Sequence, residues 1–329
     1  MAEFEQLVDL AAERLGGAVL WATDDFFAPK ENLLRPQPAL FAPDRYTERG
    51  KWMDGWESRR RRDDGHDWCL IRLGLAGIIR GMDVDTSYFV GNAPQACSLE
   101  ARRVGSRPST EQLVADDSGW SEILGQTTLK PGAHNLLPIA SEETWSHLRL
   151  HIYPDGGVAR LRVYGEVVAD WEQLLRERRV VDLAAVENGG IVLSASDELF
   201  AARQNLILPG RSQGMSDGWE TRRRRGPGHD WAVLKLGRPG KLLRVEVDTT
   251  HFKGNFPESC SLDGALVAGG GAPSPEAWRE MLPRTKLEAH STHVFERELA
   301  DPGPISHARL NIYPDGGIAR LRLFGEPSA

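Results

Sequence analysis

Cysteine is scarce in this chain: Cys69, Cys97 and Cys260 are the only three in 329 residues. An odd, sparse set does not read as a disulfide framework, so a reducing compartment is expected. No apolar run approaches the length needed to span a bilayer. The opening stretch MAEFEQLVDLAAERLGG is acidic and amphipathic and has no basic segment followed by an apolar one, unlike a secretory signal. The expectation is a cytoplasmic protein with no membrane partner. Basic excess is missing too: the formal net charge is -7, which argues against a nucleic-acid partner, although runs of arginine can still make local patches. H-x-H, H-E-x-x-H and paired-cysteine spacings do not occur. Metal ligands would therefore have to converge from separate loops. The sequence requires no cofactor, and no divalent metal is assigned.

What is present is a large internal repeat. Hydrophobic residues make up 40% and charged residues 26%, enough for a real core, and the length suggests about two domains. DGWESRRRR at Asp54–Arg62 recurs as DGWETRRRR at Asp217–Arg225. GHDW, VDT, GN and CSL recur in the same order, and RLHIYPDGGVARLRVYGE from Arg149 returns as RLNIYPDGGIARLRLFGE from Arg309. A period this long marks a duplicated domain, not a solenoid, whose units run about 20–50 residues. The first copy carries extra residues between Asn32 and Asp54, around Pro36, Pro38 and Pro43. The boundaries read as 1–168 for the first repeat, 169–188 for a charged, partly helical connector, and 189–329 for the second repeat.

Within a copy, WCLIRLG and WAVLKLG alternate large apolar with polar residues and end at glycine, as a half-buried strand entering a turn does. IIRGMDVDTSYF and LLRVEVDTTHF alternate likewise and are rich in β-branched residues. IYPDGG reads as a hairpin turn, with proline presetting φ and glycine supplying φ > 0. PSTEQLVADDSGWSEIL and PSPEAWREML fit short helices started near proline. Short strands punctuated by glycine and proline make a mainly β fold, two tandem jelly-roll sandwiches with a few short helices.

The set GWESRRRR, GHDW, VDT, F.GN.P..CSL and IYPDGG.ARLR.YGE, present twice, resembles the allantoicase family. The resemblance covers nearly the whole chain, from about Gly16 to Glu326. It implies galactose-binding-like jelly rolls and a hydrolase acting on C–N bonds of linear amidines, converting allantoate to ureidoglycolate and urea in allantoin degradation. A homo-oligomer is expected. The rival expectation is a non-catalytic tandem module that binds a small ligand or carbohydrate.

Several side chains are candidates for the chemistry. His66 and Asp67, with His229 and Asp230, read either as His–Asp acid/base units or as turn caps. Glu57 and Glu220 precede the arginine runs by two residues. In an extended chain, side chains alternate faces, so two of Arg59, Arg60, Arg61 and Arg62 can converge on a site. The same holds for Arg222, Arg223, Arg224 and Arg225. Arginine suits a planar carboxylate such as allantoate carries; a charged edge strand is the plainer alternative. Asp85 and Asp248, in VDT, are expected to face inward and to need an arginine partner. Arg160 and Arg320 are second-tier binding candidates, and Asp155 and Asp315 are turn formers. His151 stands where Asn311 does, so a site lined by that position differs between copies.

Overall fold

The computed structural model describes residues 2–105, 108–177, 179–267, 271–301 and 303–328. It divides into two compact units, Met1–Val168 and Ala169–Ala329. In the first, the strands are β1 (Val8–Asp9), β2 (Ala18–Ala22), β3 (Tyr46–Thr47), β4 (Gly50–Lys51), β5 (Trp56–Glu57), β6 (Asp67–Asp85) and β7 (Ala96–Arg102). After the helix α1 (Thr110–Ala115) follow β8 (Ser121–Thr128), β9 (His134–Pro138), β10 (Thr144–Tyr153), β11 (Gly157–Val158) and β12 (Arg160–Val167). The second unit opens with α2 (Trp171–Glu177), β13 (Val181–Asp182), β14 (Ile191–Ala195), β15 (Trp219–Glu220), β16 (Asp230–Asp248) and β17 (Ser259–Ala265). It closes with β18 (Arg279–Lys286), β19 (Thr292–Phe295), β20 (Ile305–Tyr313), β21 (Gly317–Ile318) and β22 (Arg320–Pro327).

The strand order is β1-β12-β6-β10-β7-β8 in the first unit and β13-β22-β16-β20-β17-β18 in the second. In the first, the long strand β6 serves two layers. Its first half pairs with β10 and β2, and its second half with β12 and β9, all antiparallel. Alternating residues Leu148, Leu150 and Ile152 of β10 and Leu161 and Val163 of β12 have no exposed surface, so two layers close on one core. The result is a jelly-roll β-sandwich, made twice.

Five sequence expectations are corrected here. WCLIRLG does not end in a turn at Gly74, because β6 runs on through it. A Cβ at Gly74 would sit 2.7 Å from Leu15 backbone, and one at Gly77 would sit 2.4 Å from the Glu166 carbonyl. These glycines permit close backbone approach. IYPDGG does not join paired strands: β10 and β12 each pair with a different part of β6, and β11 pairs with β5. It is a passage between layers.

The helix expected over PSPEAWREML is a single 3-10 turn, Pro275–Ala277, before β18. Pairing with β17 overrides a weak local propensity. In the other candidate, α1 is capped by Ser109 and Gln112, but its expected C-terminal end is strand β8. The connector is also shorter than expected. Val181–Asp182 pairs with β22 as Val8–Asp9 pairs with β12, so residues 181–188 belong to the second sandwich. VDLAA occurs at both places, which is the signal that was overlooked.

Candidate active site

Strand β5 places two neighbours on opposite sides. Trp56 is fully buried, its indole N–H donating to the Asp24 carbonyl at 2.8 Å. Alternation then turns Glu57 toward a cavity at the end of the sandwich. Glu57 is only 9% exposed. Burial pushes its carboxyl above the usual range, partly offset by Asn92, whose amide donates to Oε1 at 2.6 Å.

The turn after β6 fixes Asn92. Thr86 Oγ1 donates to the Lys130 and Ala133 carbonyls, Tyr88 adopts φ 70°, and Phe89 is buried. The Asn92 carbonyl accepts from Gly157 N at 2.8 Å. A Cβ at Gly157 would lie 2.0 Å from the Phe89 ring, so the second glycine of IYPDGG is a packing requirement.

The residues added in the first copy form the hairpin β3–β4 and the chain before it. They bring Phe41 onto Tyr88, stacked at 5.2 Å, and Lys51 Nζ to 5.1 Å from the Phe41 ring. The cavity, about 480 Å³, is lined by Phe27, Phe41, Lys51, Glu57, Tyr88 and Asn92 among others. In the second unit Asn255 likewise donates to Glu220, and a cavity of about 750 Å³ is lined by Phe200, Glu220, Arg223, Asn255, Glu258 and Lys286 among others.

The arginine runs divide by alternation. Arg59 Nε donates to Asp24 at 2.6 Å, and Arg222 to Asp197 at 2.7 Å. Arg61 bridges Asp63 and Asp67, both at 2.8 Å, and Arg224 holds Asp230. Arg61 and Arg224 are half-buried and committed to the fold, whereas Arg59 and Arg222 stay exposed beside their aspartates. Arg60, Arg62, Arg223 and Arg225 are exposed, and of them Arg223 lines the larger cavity. Asp155 and Asp315 accept from the backbone N–H of Arg61 and Arg224, so these turns anchor the runs.

The expected His66–Asp67 and His229–Asp230 units do not form, because neighbours on a strand diverge. Asp67 is 1% exposed and accepts from Thr23 Oγ1 and Arg61; Asp230 accepts from Ser196 Oγ and Arg224. His66 instead joins a line of three on a sheet face. His66 Nε2 lies 2.9 Å from His151 Nδ1, and His151 Nε2 lies 3.1 Å from Glu100. A carboxylate accepts, so the bonds run from His66 N–H to His151 and from His151 N–H to Glu100. That leaves His66 Nδ1 as an acceptor. Burial lowers both imidazoles from their ordinary value, helped for His66 by His151. In the second unit His229 meets Asn311, which does not titrate.

Two further expectations give way to structural roles. Asp85 and Asp248 accept from the backbone N–H groups of Ser87 and Thr250, closing turns without an arginine. Arg160 is 3% exposed and donates to Asp54, to the Asp54, Ala159 and Gln37 carbonyls. Arg320 likewise holds Asp217. Neither guanidinium is open to a ligand. Among the described residues, no three of His, Cys, Asp or Glu converge to hold a metal ion. The sequence reading missed Asn92, Asn255 and Lys51; the doubled F.GN.P motif was the available signal for the two asparagines.

A family model of the allantoicase repeat matches residues 8–168 and 181–328. A probable allantoicase from Photobacterium profundum is 51% identical over 98% of this chain and 97% of its own length. One from Pseudomonas aeruginosa (strain UCBPP-PA14) is 49% identical, over 99% and 98%. The crystal structure of allantoicase from Saccharomyces cerevisiae has a TM-score of 0.83 at 37% identity, covering 98% of this chain and 96% of that one.

Proposed function

This chain belongs to the allantoicase family, a hydrolase of allantoate, and from that premise we propose that the Glu57 cavity of the first repeat is where allantoate is cleaved. The observation that carries this reading is a buried carboxyl, pushed up by its surroundings and held by an amide in a cavity large enough for a small ureido acid.

Hydrolysis to ureidoglycolate and urea breaks the bond between the central carbon and one ureido nitrogen. Protonated Glu57 gives its proton to that nitrogen, and the lone pair of the remaining ureido nitrogen displaces urea, leaving an N-acyliminium ion. Water adds to the central carbon, and the Glu57 carboxylate takes the proton released. One residue thus acts as acid and then base, returning to its starting state. Lys51, in the cavity wall, supplies positive charge for the substrate carboxylate. The aromatic wall of Phe27, Phe41 and Tyr88 limits water around the charges.

The His66–His151–Glu100 line supports a second reading, because it leaves a basic nitrogen at His66. Among the described residues no hydrogen bond links it to the Glu57 cavity, so Glu57 is preferred. A cytoplasmic location and self-association belong to the same proposal. The three cysteines are free and buried, and no described helix is long and apolar enough to cross a membrane.

The test is urea release from allantoate by purified chain. Glu57→Gln keeps an acceptor for Asn92 and should lower kcat roughly 10²–10⁴-fold with an unchanged melting temperature. His66→Asn should leave most of the rate. The reverse pattern would move the chemistry to the histidine line.

A further inference from the structure

The two cavities are built on the same frame but furnished differently. Glu57 and Glu220 occupy the same place in β5 and β15, each receiving an asparagine amide. The second repeat has no counterpart of the hairpin that brings Phe41 and Lys51 over the first cavity. Its cavity is larger, about 750 Å³ against about 480 Å³, and Phe200 on its wall is 61% exposed. Glu220 is only partly buried, where Glu57 is buried.

New positive charge appears in place of the missing wall. Lys286 pairs with Ser259 in the register where Thr128 pairs with Ala96, so a lysine replaces a threonine at the cavity edge. Arg223 also lines this cavity, whereas its counterpart Arg60 is not among the residues lining the first. Of the acids lining this cavity, Glu258 is held by Arg284 at 3.0 Å and by Ser259, with a weaker attraction from Lys286, and Asp315 accepts from the backbone of Arg224. Among the described residues neither Arg223 nor Lys286 forms an ion pair within 4 Å, so both cations face the cavity in reach of an anion.

Resting on the reading of Glu57 as the catalytic acid, we infer that the cavity of the second repeat is a separate binding site for a ureido acid, not a second catalytic copy. Arg223 and Lys286 would take the carboxylate, and the free oxygen of Glu220 would accept ureido N–H groups beside the Asn255 amide. Without the aromatic hairpin, this cavity lacks the wall that limits water around a proton transfer. The ligand class is a carboxylate carrying a urea group. Both the substrate and the product of the reaction fit it.

The experiment uses the full chain with Glu57→Gln, which slows turnover roughly 10²–10⁴-fold, and titrates allantoate and ureidoglycolate separately by calorimetry. Two equivalents per chain are expected for at least one of them, and whichever acid fills the second place identifies the source. Adding Lys286→Glu, an exposed position, should weaken one equivalent at least about tenfold and leave the other unchanged. A single equivalent that is indifferent to Lys286→Glu overturns the inference. So does a loss of urea release in Lys286→Glu alone as deep as that in Glu57→Gln, because the second cavity would then be catalytic. Normal urea release by Glu57→Gln has a different meaning: it removes the Glu57 reading itself and the inference with it.

Discussion

Single residues in this protein do their work through the faces they are given. Arg61 and His66 both looked available for substrate, yet Arg61 is spent on Asp63 and Asp67, and His66 turns to a second histidine. The most committed pair is Arg160 and Asp54, 4% and 5% exposed at 2.7 Å. Asp54 also accepts from Leu40 N, so it fastens the extra segment of the first copy to the core. Removing one partner of a buried pair leaves the other charge without compensation, at a cost of about 3–5 kcal/mol. Asp54→Ala should therefore lower the unfolding free energy by that much, measured by urea unfolding. A loss below about 1 kcal/mol would mean that the pair is no better than a surface one.

Among the elements, short strands and tight turns position the site more than the long strands do. Strand β5 is two residues long, yet it sets Trp56 in the core and Glu57 in the cavity. The facing element β11 keeps it there through Gly157, which has room only for hydrogen against Phe89. Phe89 lies three residues before Asn92 in the same turn, so crowding at Gly157 reaches the carboxyl through that turn. Gly157→Ala should cost about 1–3 kcal/mol as an overpacked site and raise the KM for allantoate. Thermal unfolding and urea-release kinetics on the same preparation check both effects.

For the molecule as a whole, duplication repeats the liabilities of the fold along with its assets. Asp9 and Asp182 begin the two sandwiches and accept backbone N–H groups of Val163 and Leu323. Burial pushes both carboxyls up to about 6 from 3.8, against the opposing pull of Arg162 and Arg322. Folded protein therefore holds these protons to higher pH than unfolded chain does. Their stabilising contribution is full below about pH 4 and is lost as pH rises through about 6. In Asp9→Asn/Asp182→Asn the melting temperature should lose that part of its fall between pH 4 and 6, while the wild type keeps it. Parallel melting curves for the two proteins would contradict the assignment.

The duplication, the mainly β class and the family are legible without coordinates, because each rests on order and alternation along the chain. Motifs such as GWESRRRR and IYPDGG are local strings, and a doubled string survives any way the strands are paired. The sequence also singled out Glu57 and Glu220, which stand beside a tryptophan that must be buried. Which arginines face the cavities, and that His66 meets His151 and not Asp67, follow from the folded chain alone. Only it showed that Asn92 reaches Glu57 across 35 residues. Those contacts depend on which strands lie side by side in space, and neighbours in sequence along a strand face opposite ways. The start of the second repeat at Val181 was legible in the doubled VDLAA, and its partner β22 shows that this string is a two-residue strand.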